Sequence, residues 1–333
     1  MTGELAERKI YKLIVLAVLL LCAAAVLAVA PFIGATDVRL VARQAHNSDT
    51  LAAKVFWEMR LPRVFVAFAA GATLAVCGMV FQALFRNPLV DASTLGVSAG
   101  ASLGAALYIW LGWSFQVAGI SGISFFAFAG ALLSILGVWY LSSFDRESST
   151  TKLLLTGVVV SFFFLSLIML LQYLSDISQS FRMTRWLMGS LYIFGYDKLR
   201  DIFIVTGAGL AVVWYFAREL NLLMIDEDIA VSRGVNVDLL MKLLFAVISF
   251  IIGVVVAVCG PIAFVGIIAP HVCRFLIGPD HRYLTPATFL FGGLFLTLCD
   301  AFARKMVAPA EIPVGVITAL LGGPFFLWLL RTR

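Results

Sequence analysis

Two arginines flank a proline at Arg60-Leu61-Pro62-Arg63, and a second basic pair, Arg304-Lys305, lies towards the other end of the chain. Guanidinium forks hold carboxylates through paired hydrogen bonds. Arg60, Arg63, Arg304 and Lys305 are therefore candidates for docking an acidic partner, and charge complementarity would orient the encounter. The competing role is anchoring, with long basic side chains snorkelling to a headgroup layer, and Asp300 stands one helical turn from Arg304. A third constellation runs from Arg218 to Asp238, where Glu219, Asp226, Glu227, Asp228 and Arg233 surround Ala230 and Gly234. Its length and charge suit short surface helices. Metal or acid–base chemistry is not indicated. The histidines (His46, His271, His281) are too scattered for a ligand set, and His271, Arg274 and Asp280 form the one polar grouping, at a connection, which suits a structural role. Cys22, Cys77, Cys259, Cys273 and Cys299 sit inside apolar runs without metal-type spacing.

The elements that carry these residues are apolar. The chain has 333 residues, is 62% hydrophobic and 13% charged, with mean hydropathy +1.02. A soluble chain carries about 25% charged residues. Runs such as Leu13–Ile33 and Ile202–Ala217 hold about as many apolar residues as a helix needs to cross ~30 Å of hydrocarbon. Breaking the chain at charge, proline and glycine clusters predicts an all-α polytopic membrane protein of about ten spans. Their limits are 11–33, 56–83, 92–112, 117–141, 152–173, 200–217, 240–259, 262–277, 285–305 and 313–330. The first has basic flanks, but its apolar run exceeds a secretory h-region and Pro31 follows the cleavage-like Ala28-Val29-Ala30, so it reads as a retained span. The whole chain is a single transmembrane domain, and Arg218–Asp238 is its one sizeable internal loop on the cytoplasmic side.

An even number of spans puts both termini on one side. With that side cytoplasmic, the 24 Lys and Arg divide with only a small excess inside, and docking an acidic partner would explain the outer share. Net charge +5 and pI near 9.0 come without the basic tract of a nucleic-acid binder. Ala75-Val76-Cys77-Gly78 reappears as Ala257-Val258-Cys259-Gly260, each with a proline ten residues after its glycine, at Pro88 and Pro270. The copies fall on the second span and the seventh–eighth pair, so spans 2–5 and 7–10 would start on opposite sides as an inverted repeat.

An ordered set of motifs spans the chain. After Arg60-Leu61-Pro62-Arg63 come Gly71, Gly78, Gln82, Arg86-Asn87-Pro88-Leu89 and Leu95-Gly96-Val97-Ser98-Ala99-Gly100-Ala101. Then follow Trp186-Leu187-Met188-Gly189-Ser190-Leu191, Leu220-Asn221-Leu222-Leu223, Gly266-x-x-x-Pro270-His271-x-x-Arg274, Asp280-His281-Arg282 and Glu311-Ile312-Pro313-Val314-Gly315, with Thr318, Gly322 and Pro324. Over residues 10–331 this resembles the FecCD-type permeases of type II ABC importers, which carry iron-siderophores, haem or cobalamin.

The resemblance implies a homodimer in a bacterial or archaeal cytoplasmic membrane, with both termini cytoplasmic. Two ATPase subunits lie below it and a periplasmic or surface-anchored substrate-binding protein above. No catalytic residue or cofactor belongs to this chain. It has no G-x-x-x-x-G-K-[ST] loop, so ATP and magnesium sit on the partner ATPase. By the same resemblance, Arg60, Arg63, Arg304 and Lys305 receive the binding protein's glutamates. Asp228, Ala230, Arg233 and Gly234 contact the ATPase, whose closure would push the loop as a rigid body. The path runs along the dimer axis between the fifth span (Thr156, Gly157, Ser161, Ser166) and the tenth (Thr318, Gly322, Gly323), with Ser142–Thr151 as a gate. Small residues suit close helix packing equally. An ion-coupled secondary transporter is the alternative, but such machines keep ionisable groups deep in the bundle, and the fifth and tenth spans have none. Among cargoes, iron chelate ranks first and cobalamin second.

Overall fold

The computed structural model describes residues 2–34, 51–117, 120–142, 150–307 and 310–331. The expected gate at Ser142–Thr151 falls, over 143–149, outside these residues. Helix α1 covers Thr2–Val29, and a turn of π-helix, Val55–Arg60, leads into α2, Leu61–Leu84. There follow α3 (Val97–Trp110), α4 (Gly122–Ser142), α5 (Thr150–Leu174), α6 (Ile177–Leu187), α7 (Asp197–Tyr215), α8 (Ala217–Ile225) and α9 (Glu227–Ser232). The chain then forms α10 (Val237–Cys259), α11 (Val265–Ile277), α12 (His281–Met306) and α13 (Val314–Arg331). The one sheet among the described residues is a two-residue ladder, Gln116–Val117 with Ile120–Ser121.

Each of the ten apolar segments read from the sequence contains a helix, but they differ in reach, and the fourth starts its helix at Gly122, after the short ladder, not at 117. Six helices are long and apolar enough to cross a membrane, and α7 with α8 forms a seventh candidate bent by 56°. The remaining three, α3, α11 and α13, are shorter. The third segment begins at Val97, not at residue 92, and the eighth at Val265, not 262. Glycine and proline explain both late starts. Gly96 precedes α3 with φ 83°, and Gly260-Pro261 interrupts the chain between α10 and α11 with Gly260 at φ 70°.

Side-chain caps fix the loop-side starts. Asn236 accepts from the Leu239 N–H before α10, and Asp280 from the Arg282 N–H before α12. Helix α6 is an element the hydropathy reading leaves out. Asp176 and Gln179 cap it reciprocally, and this Asp-x-x-Gln spacing is legible in the sequence.

Helix α2 is the centre of the bundle and is almost wholly buried, whereas α1 and α5 are mostly exposed. The packing repeats with exchanged partners. Helix α2 lies on α12 as α10 lies on α4, α3 lies on α4 as α11 lies on α12, and α2 meets α11 as α10 meets α3. Each contact within α2–α5 therefore has a counterpart within α10–α13, as an inverted repeat requires. At its closest crossings α2 places Gly71 on Gly292 and Gly78 on Gly266, where any Cβ would strike backbone. The four-residue repeat is looser than the architecture. Helix α2 runs on past Gly78 to Leu84, whereas α10 stops at Cys259, and Pro88 lies in a turn while Pro270 lies inside α11.

Candidate translocation site

Two helices begin inside the bundle. Helix α3 starts after Gly96, whose carbonyl accepts from Ser134 Oγ at 2.8 Å, halfway along α4. Helix α11 starts after Phe264, a non-glycine residue at φ 69°, and its Gly266 packs on the middle of α2. The segments feeding them, 85–96 and 260–264, are irregular backbone, and the first runs from exposed Arg86 to buried Asp91 and Leu95, where hydrogen bonds hold it. The Asp91 carboxylate accepts the Ser93 N–H and Oγ at 2.8 and 2.5 Å, and also the Phe264 N–H from the other segment. Gln82 donates to the Gly266 carbonyl at 3.0 Å, and Ser190 N–H donates to the Cys259 carbonyl at 2.8 Å. Asp91 thus ties the two breaks to each other and Gln82 ties α2 to α11, roles the sequence reading did not assign to either.

Between these breaks opens a cleft of about 470 Å³. Ser93 and Ser98 line it from one side, Pro261 to Ala263 from the other, and Leu187-Met188, Gly315, Val316, Ala319 and Leu320 close it. The lining holds no acid, base, cysteine or histidine. The described lining offers an apolar surface weak contacts and two hydroxyls, Ser93 and Ser98.

None of the path residues read from the sequence is among those lining this cleft, although several lie next to it in the chain or in space. On α5, Gly157 packs on Leu95, and Ser161 Oγ donates to its own helix at Gly157 O (2.8 Å) and towards Ser93 O (3.4 Å). Thr156 is half-buried, and Ser166 lies on the exposed flank with its hydroxyl on Phe162 O. On α13, Thr318 is buried and bonds Gly315 O, Gly322 is buried against Phe264, and Gly323 has open space beside it. The cleft-facing side of α13 is therefore one step round, at Val316, Ala319 and Leu320. The Gly260-Pro261 break was the available signal for the opposite wall.

At one end of the bundle the basic residues have partners within the chain. Arg63 reaches Asp300 Oδ1 through Nε and Nη2 at 3.0 and 2.9 Å, and Glu311 through Nη1 at 2.7 Å. Arg304 Nε lies 3.0 Å from Asp300 Oδ2, while its Nη groups donate to the Ile33 and Ala30 carbonyls. Arg60 donates to the Pro31 carbonyl. The Arg304 side chain is only 3% exposed, which removes it from the surface, whereas Lys305 is exposed. Beside this end Tyr196 donates to the Trp57 carbonyl, and burial, then the Glu58 carboxylate, holds its hydroxyl above its usual pKa.

At the opposite end, α8 and α9 form a helical corner. Asp226 caps α9 at the Asp228 N–H, Gly234 turns the chain at φ 83°, and Arg86 pairs with Glu227 at 3.1 Å. Asp228, Arg233 and Gly234 are exposed beside Ile229 and Val231, while Ala230 is fully buried and serves the packing instead. His271 packs between the Phe275 and Phe325 rings, and no metal-holding group of His, Cys, Asp or Glu occurs among the described residues.

A helical bundle with exchanged repeats and two short helices that begin inside it beside an uncharged cleft has the architecture of a multi-pass membrane permease. The FecCD transport family model matches residues 13–332, and the chain belongs to that family of ABC importer permeases. It is 40% identical over 279 residues to the cobalamin import system permease protein BtuC of Halobacterium salinarum, covering 83% of this chain and 73% of that one. It is 38% identical over 284 residues to the hemin transport system permease protein HmuU of Yersinia pestis, covering 84% of each. Among solved structures, an inward-facing ABC transporter described as metal-chelate type matches with TM-score 0.84 and 31% identity, over 97% of this chain and 100% of that one.

Proposed function

We propose that this chain is the membrane-spanning half of an importer that moves a bulky metal chelate inward, an iron chelate or haem first and cobalamin second. A binding protein delivers the cargo, and two copies of a separate ATPase drive its passage. The observation that carries the reading is the cleft between the two mid-bundle helix starts. It is wide, lacks charge and offers only Ser93 and Ser98 as polar side chains. A transporter whose energy arrives from outside needs a path that does not retain its cargo. A proton- or sodium-coupled carrier would need ionisable groups there.

The dimer axis of the proposal lies along α5 and α13. Helix α5 is mostly exposed, with Phe162, Phe163, Leu165 and Met169 on its flank, and α13 exposes Leu320 and Leu321. The helical corner of α8 and α9, with exposed Asp228, Arg233, Gly234, Ile229 and Val231, would face the cytoplasm and seat on the ATPase. Both termini would then be cytoplasmic. Docking at the arginine end would fall to Lys305, to the accessible edges of Arg60 and Arg63, and to exposed Glu311.

The test is co-expression with a candidate ATPase subunit. The expected result is a stoichiometric ATP-hydrolysing complex that is lost when residues 228–234 are replaced by a glycine-serine linker. Uptake of labelled iron chelates, haemin and cobalamin into vesicles then identifies the cargo. A folded chain that captures no ATPase and accumulates none of the three overturns the proposal.

A further inference from the structure

Helix α1 touches the bundle mainly through α12, and most of its surface is exposed. At the end nearest the α8–α9 corner the two helices part. The gap is a cleft of about 830 Å³ between the first turns of α1 and the connection from α11 to α12. Its walls are Glu7, Lys9, Tyr11 and Lys12 on one side, and Ile277, Gly278, Pro279 and Tyr283 on the other. Gly278 contributes to the opening, because a Cβ there would meet only open space. Lys12 Nζ reaches across and lies 4.8 Å from the centre of the Tyr283 ring.

The position of this cleft defines what can fill it. Lys12 immediately precedes the apolar run that begins at Leu13, so its ammonium lies at the border of the hydrocarbon. Tyr11 and Tyr283 occupy the same level, where amphipathic rings settle. One side opens on the exposed apolar flank of α1, at Ile10, Leu13 and Ile14. Acyl chains have access there, and an unfilled gap of this size forfeits the packing that both helices would otherwise gain. Among the described lining residues, Lys9 and Lys12 set two positive charges against the Glu7 carboxylate. That balance favours a headgroup with one net negative charge over a neutral or multiply phosphorylated one.

We propose that this cleft is a binding site for one anionic phospholipid, with its phosphodiester on Lys9 and Lys12 and an acyl chain along Ile277 and the flank of α1. The lipid wedges the otherwise weakly held α1 onto the α11–α12 connection. The site is independent of cargo and of the ATPase.

The test uses the full chain, stripped of lipid in detergent and titrated with phosphatidylglycerol or with phosphatidylcholine of the same acyl chains, with bound lipids counted by native mass spectrometry. The wild type is expected to retain one phosphatidylglycerol with about tenfold preference over phosphatidylcholine. Lys9→Gln with Lys12→Gln should bring the preference close to unity without changing the melting temperature of the stripped protein, and Lys12→Arg should preserve it. Lys242→Gln, at the start of α10, controls for general surface charge and should leave the preference intact. Equal binding of the two lipids by the wild type overturns the proposal, as does an undiminished preference in the double variant or an equal loss in Lys242→Gln.

Discussion

The Arg63 guanidinium grips the Asp300 carboxylate through two nitrogens, joining the first turn of α2 to the last turns of α12 across 237 positions of sequence. Asp300 is fully buried and also faces Arg304. Removing the shared carboxylate would leave the buried Arg304 without its ion-pair partner and Arg63 with Glu311 alone.

Asp300→Ala should therefore destabilise the protein by about 3–5 kcal/mol, the cost of stranding a buried charge. Glu311 is 40% exposed on its side of the same arginine, so Glu311→Gln should cost about 1 kcal/mol or less. Thermal melting in detergent compares the two. A smaller loss for Asp300→Ala than for Glu311→Gln would refute the network as the clamp of this end.

Filling the cleft should stop passage without unfolding the chain. Ala319→Trp projects a ring between the two broken helices and is expected to abolish uptake in vesicles while ATP hydrolysis by the assembled complex persists. Thr318→Val, one residue away but buried, should leave uptake near the wild-type rate. The reverse pattern would place the path on the other face of α13.

Gly96 holds a left-handed backbone with Ser134 Oγ 3.0 Å from where a Cβ would lie. Gly96→Ala should cost about 1–2 kcal/mol in stability and shift the start of α3, which slows uptake. Gly207→Ala, in helical α7 with open space beside it, should be neutral or stabilising by up to about 1 kcal/mol. Paired melting curves decide between them, and equal effects would show that the Gly96 conformation is not required.

On the α8–α9 corner, Ile229→Asp places a charge on an exposed apolar side chain. The fold should change by no more than about 0.5 kcal/mol, while ATPase recovered by co-purification should fall about tenfold if Ile229 belongs to the buried centre of that contact. Undiminished recovery would move the contact elsewhere on the loop.

The ten helical segments were legible because hydrocarbon imposes a length and a composition that windows of sequence reveal directly. Their ends were less so. Residues 92–96 carry no charge to mark a break, yet the Gly96 turn and the Asp91 carboxylate, which binds Ser93, hold them out of the helix, and Asp91 also binds Phe264, 173 positions away along the chain. Arg60, Arg63 and Arg304 were recognisable as a functional group of residues, but not their partners. The Arg304–Asp300 spacing along one helix was visible, while Arg63–Asp300 and Arg304–Ile33 arise only when distant segments meet. Along α13 the sequence offered small residues on every side. Only the packing of Gly322 on Phe264 determines which of them look into the cleft.

The arginine end also has a mechanical meaning. One buried carboxylate and three guanidinium groups fasten the end of α1, the start of α2, the end of α12 and the approach to α13, so these ends travel together. Parting α2 from α12 means breaking a buried ion pair, and parting either from the end of α1 means breaking arginine hydrogen bonds to the carbonyls there. Among the described residues, helix α5 packs mainly on α3, α4 and α6, with Gly157 against Leu95. A shape change that preserves the arginine contacts moves the four ends as one block.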